Sequence, residues 1–113
     1  MSKYMQLRIT IVPYYEKDFK NTYPKLARQL RYGKSDLAEP NPSLYDLVGQ
    51  LDKLLYTFDG TPLRDALFPH REVLLNLHKK IEENIAHRNL AQVDQLLYKL
   101  EDVFDNIESE LLP

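Results

Sequence analysis

Near its start the chain alternates: Met5, Leu7, Ile9 and Ile11 are apolar, and Gln6, Arg8 and Thr10 between them are polar. A period of two puts the two sets on opposite faces of a β-strand. Ile9, Thr10, Ile11 and Val12 carry the branched side chains that suit a pleated surface. The pattern predicts a single strand or extended arm over 4–12, ended by Pro13, which has no N–H to give to a ladder. No second alternating segment follows, so a strand here has no evident partner within the chain.

The remainder steps at helical spacing. Phe19, Tyr23, Leu26 and Leu30 form one stripe. Pro24 is tolerated only in a first turn, so a fresh start near Asn21 or Thr22 is expected, giving a basic helix over about 22–32 that Gly33 ends. GKSDLAEPNP, 33–42, has two prolines, a glycine and no periodicity, and reads as a linker. Ser43 is a good N-cap for a helix over 43–58, with Leu44, Leu47, Val48, Leu51, Leu54, Leu55 and Phe58 on its inner face. Asp59-Gly60 stops it, and Thr61-Pro62 opens a short helix over 62–67.

A long antiparallel helical hairpin is expected over 70–112. Val73, Leu74, Leu77, Ile81 and Ile85 face inward from its first arm. A near-heptad seam of Val93, Leu96, Leu97, Leu100, Val103, Phe104, Ile107 and Leu111 lines the second. The break falls at Arg88-Asn89, where Asn89 and Gln92 have the spacing of a capping box. The expected fold is therefore mainly α and a single domain over 1–113: a strand or arm, then about four helices, ending in the hairpin.

Charge adds a feature that the pattern does not show. The net charge is only −2, yet residues 1–34 hold eight basic side chains against Glu16 and Asp18, and the remainder holds seven basic against fifteen acidic. Either the two parts face one another or the basic part meets an anionic partner. With no cysteine, disulfides and thiolate chemistry are excluded. No apolar run reaches the length of a membrane span and the first residues lack a signal-like apolar core, so a cytoplasmic protein without membrane contact is expected.

Catalytic chemistry finds little support. FDGTPL, 58–63, resembles the aspartate motif of haloacid-dehalogenase-type phosphotransferases, but Thr57 stands where the nucleophilic aspartate belongs, and a helix end, a turn and a new cap account for every residue. His78 with Glu82, and Glu83 with His87, are helix-surface pairs four apart rather than a ligand set for a metal. Glycine occurs only at 33, 49 and 60, too sparsely for a phosphate cradle. The expectation is no enzyme, no metal and no cofactor.

The partnerless strand then becomes the main functional clue. It pairs with a second copy, adds to a partner's sheet, or lies on the helices as an arm. Five of the eight tyrosines, Tyr4, Tyr14, Tyr15, Tyr23 and Tyr32, fall in the basic part, where aromatics serve protein interfaces or stack on bases. The first expectation is a small interaction protein (a regulator, adaptor or inhibitor) that binds another protein or a second copy of itself. Its partner-binding residues would be Tyr4, Arg8, Tyr14, Tyr15, Lys25, Arg28 and Arg31. As an alternative, residues 5–13 resemble the strand of ribbon-helix-helix DNA-binding proteins. The resemblance implies a dimer whose paired strands enter the major groove, with Gln6, Arg8 and Thr10 facing bases. Both expectations favour a homo-oligomer.

Overall fold

The computed structural model describes residues 8–15, 18–32 and 42–111, with the side chains of Arg31 and Tyr32 excepted. Seven α-helices lie within these residues: α1 (Phe19–Thr22), α2 (Pro24–Tyr32), α3 (Leu44–Gly49), α4 (Leu51–Thr57), α5 (Pro62–Leu67), α6 (Arg71–Ala86) and α7 (Leu90–Glu110). A 3₁₀ turn, Phe68–His70, joins α5 to α6. The protein is thus mainly helical, as its periodicity predicts. Residues 4–7 of the expected strand, most of the expected linker over 33–42 and residue 112 lie outside the described residues.

The described part of the expected strand forms no ladder. From Arg8 to Tyr14, among the described residues, no backbone hydrogen bond joins the chain to another segment. Among the described residues no second strand is present to pair with it, and the segment lies as an arm on the helices. The alternation survives as orientation. Ile9 and Ile11 are half-buried, whereas Arg8, Thr10 and Val12 are exposed.

Other departures have local causes. The first helical turn starts at Phe19 because the Asp18 carboxylate caps it, accepting from the Asn21 backbone N–H at 2.7 Å. Tyr23 then breaks the helix before Pro24 restarts it, as the residue before proline is driven from helical geometry. The helix expected over 43–58 divides at Gln50, which has φ −113° and ψ 16°. Gly49 precedes it, and a Cβ there would sit 3.4 Å from His78 Nε2. Glycine at this last position of α3 costs helix propensity and so favours the break that follows.

The caps at Ser43 and Thr61 form as expected: Ser43 Oγ accepts from the Asp46 N–H at 3.0 Å, and Thr61 Oγ1 accepts from the Arg64 N–H at 3.4 Å, with Pro62 opening α5. Gly60, at φ 81°, makes the left-handed turn between α4 and α5. The FDGTPL segment is therefore a helix end, a turn and a helix start. The capping box at Asn89 does not form, because Asn89 makes no side-chain cap bond. The α6 end uses its backbone instead: Arg88 N–H donates to Ile85 O at 3.0 Å, Asn89 N–H donates to Asn84 O at 2.8 Å, and Arg88 takes φ 56°. This is a Schellman closure with arginine where glycine is usual.

One hydrophobic cluster joins all the helices. From α7 it takes Val93, Leu96, Leu100, Phe104 and Ile107, at steps of three and four, and from α6 Leu74, Leu77 and Ile81. Leu63, Leu74, Ile81 and Ile107 have no exposed surface. Truncating any of them to alanine costs about 2–5 kcal/mol, since the cavity left behind adds to the lost transfer energy. His70, just before α6, lies 3.4 Å from Glu110 at the end of α7, and Arg71 forks onto Asp52 of α4 at 2.8 and 3.2 Å. No helix within the described residues is long and apolar enough to cross a membrane.

Candidate interaction surface around the arm

The arm is anchored by two side chains. Ile11 and Tyr15 are half-buried and pack on the core cluster. The Tyr15 phenol donates to the Pro42 carbonyl, and its ring begins an aromatic relay into the bundle: Tyr15 to Phe19 at 5.7 Å, Phe19 to Tyr23 at 5.8 Å, Tyr23 to Phe104 at 6.4 Å between centroids. Tilted pairs of this kind contribute about 0.5–1.5 kcal/mol each beyond the area they bury. Burial, with Glu101 and then Asp46 nearby, pushes the Tyr15 phenol up to about 12, because a phenolate there would lose water and face two carboxylates.

Two clefts border the arm and share Ile11 and Tyr45. One, of about 230 Å³, is lined by Val12, Pro13, Tyr14 and Tyr15 from the arm and by Leu44, Leu97 and Glu101 from the helices. The other, of about 290 Å³, is lined by Arg8, Ile9 and Thr10 from the arm and by Asp46, Glu82 and Ile85. Tyr45 between them is fixed from α6. Its ring stacks on His78 with centroids 4.3 Å apart, and its hydroxyl donates to Glu82 Oε1 at 3.2 Å. His78 Nδ1 lies 3.6 Å from the same carboxylate oxygen. Burial and the adjoining Glu82 and Asp46 push the Tyr45 phenol up to about 12.

Of the carboxylates around the clefts, Glu82 has His78 beside it and two others stand apart. Asp46 and Glu101 have no ion pair among the described residues. Partial burial, then Asp105, Asp102 and Asp94 along the same helix, raises the Glu101 carboxyl above its usual range. Against these stands Arg8, exposed and, among the described residues, also without an ion pair.

Of the residues expected to bind a partner, the structure brings Arg8, Tyr14 and Tyr15 to these clefts; Thr10, expected in the DNA-binding alternative, is there too. Tyr14 is 95% exposed and Val12 70%, so the outer edge of the arm is apolar as well as unpaired. Lys25 and Arg28 lie on α2 and line neither cleft. Tyr4, Gln6 and the Arg31 side chain lie outside the described residues. The sequence reading did not assign Tyr45, Asp46, Glu82 or Glu101 to a site, and it placed Leu97 only in the apolar seam of the last helix. The 78/82 spacing was the one hint of Glu82.

The basic and acidic parts of the chain touch where α2 and its leading turn meet α7. Glu108 of α7 accepts from the Lys25 and Leu26 backbone N–H groups at 2.8 and 2.9 Å, and the Tyr23 hydroxyl donates to Asp105 at 3.2 Å. No group of three or more metal-ligating side chains converges among the described residues. Comparison with known proteins found no family model, curated protein or solved structure that matches the chain.

Proposed function

We propose that this protein is a non-enzymatic interaction protein, a regulator, adaptor or inhibitor, that acts by presenting its N-terminal arm to a partner protein. One observation carries the reading: a segment held to the bundle by Ile11 and Tyr15 has, among the described residues, no backbone partner along its edge and exposes Val12 and Tyr14. Unpaired strand-like edges recruit extended segments, whose main-chain hydrogen bonds supply affinity while side-chain pockets supply selectivity. The two clefts are such pockets. The lining supports protein over nucleic acid, because Asp46 and Glu82 share the cleft of Arg8 and Thr10 and repel phosphate.

A photo-crosslinking residue in place of Tyr14 tests the reading in cells that make the protein. The expected result is one saturable adduct with a partner chain, reduced by Val12→Asp and not formed from Lys53 on α4. Equal capture from Lys53, or no specific adduct from Tyr14, contradicts it. Charge reversal at Lys25 and Arg28 is expected to leave the adduct in place.

A further inference from the structure

We propose that the clefts beside the arm take an extended segment of a partner protein in which apolar residues alternate with lysine or arginine. The inference rests on the interaction reading above and names the chemistry of that partner.

Three observations define the occupant. First, the arm offers unpaired backbone donors and acceptors from Arg8 to Tyr14, which an extended segment matches and a helix does not. Second, Ile85, Leu97 and Leu44 give the clefts apolar walls around the shared Ile11 and Tyr45. An added strand directs every second side chain toward that floor. Third, among the described residues Asp46, Glu82 and Glu101 outnumber Arg8 in the cleft linings, and neither Asp46 nor Glu101 has an ion pair. Lysine or arginine at the remaining positions of the segment complements this rim. Glu101 gains most, because it already sits among Asp94, Asp102 and Asp105 and a cation relieves that crowding. A second copy of the chain fits less well: its described arm carries Arg8 as its one cation and brings the same carboxylates to the contact.

The test is a nuclear magnetic resonance titration of the full chain with a short capped peptide of alternating lysine and valine, beside its glutamate and valine counterpart. The expected result is saturable shifts at residues 8–14, Asp46, Glu82 and Glu101 with the lysine peptide and none with the glutamate peptide. The double variant Glu82→Gln/Glu101→Gln should weaken binding about tenfold, and Arg8→Glu should strengthen it. Melting curves of the variants show that each is folded. Equal binding of both peptides, shifts away from the arm, or unchanged affinity in the carboxamide variant overturns the proposal. So does dimerisation of the chain that excludes the lysine peptide. A Tyr14 adduct whose partner contacts the arm without basic residues defeats this inference alone and leaves the interaction reading standing.

Discussion

Tyr45 lies flat on His78, the two rings 4.3 Å apart and 12° from parallel. The stack ties α3 to α6 and forms the wall that both arm clefts share. Gly49, one turn beyond Tyr45, lies beside the same imidazole, where a Cβ would sit 3.4 Å from Nε2. Tyr45→Ala therefore removes a structural tie and a binding wall together. The expected loss of stability is about 1–2 kcal/mol, from the aromatic pair and the half-buried ring. Tyr45→Phe keeps the stack and loses only the bond to Glu82, about 0.5–1 kcal/mol. Urea unfolding of the two variants checks the order.

Glu108 is a cap supplied from a distant part of the chain. It satisfies two N–H groups at the start of α2, where Pro24 opens the helix. Glu108→Ala should cost about 1–2 kcal/mol, in the range of a lost N-cap with charge-assisted bonds. Hydrogen exchange at Lys25 and Leu26 should accelerate, with Ile81 on α6 little affected. Unchanged exchange at those two amides would mean the cap contributes nothing in solution.

Three phenols keep their protons well past the ordinary tyrosine value of 10. Burial is the first cause for each, followed by Glu101 at Tyr15, Asp105 at Tyr23 and Glu82 at Tyr45. In the unfolded chain these groups ionise near pH 10, before their folded counterparts. Their contribution to stability is complete below pH 10 and is lost as pH rises toward the folded values, about 12 for Tyr15 and Tyr45. Stability should decline above pH 10. Replacing Tyr15 or Tyr45 with phenylalanine should flatten that decline, as read by denaturant midpoints between pH 8 and 11.

The helical stripes were legible because burial on one side imposes its period on any sequence. Leu44, Leu47, Leu51 and Leu54, or Leu96, Leu100, Phe104 and Ile107, could be placed from spacing alone. The caps at Ser43 and Thr61 were legible for a local reason, since one hydroxyl serves one nearby N–H. The α6 end was not, because its closure uses backbone groups and sets Arg88 where glycine would have signalled a left-handed turn. The split of α3 from α4 at Gln50 carries no proline or turn signal of its own. For the site, Arg8, Tyr14 and Tyr15 could be named because the arm announces itself by alternation. Asp46, Glu82 and Glu101 come from three different helices, and only tertiary packing brings them beside one arm.

The claim on which the functional account depends is that the arm carries an unpaired edge in the free protein. Backbone hydrogen exchange of residues 8–14 in the isolated full chain tests it most directly. The account predicts exchange close to that of an unstructured peptide at every arm amide, while the core of α7 around Leu100 is strongly protected. Slow exchange along the arm would show that its edge is already occupied, and the protein would have none to offer a partner.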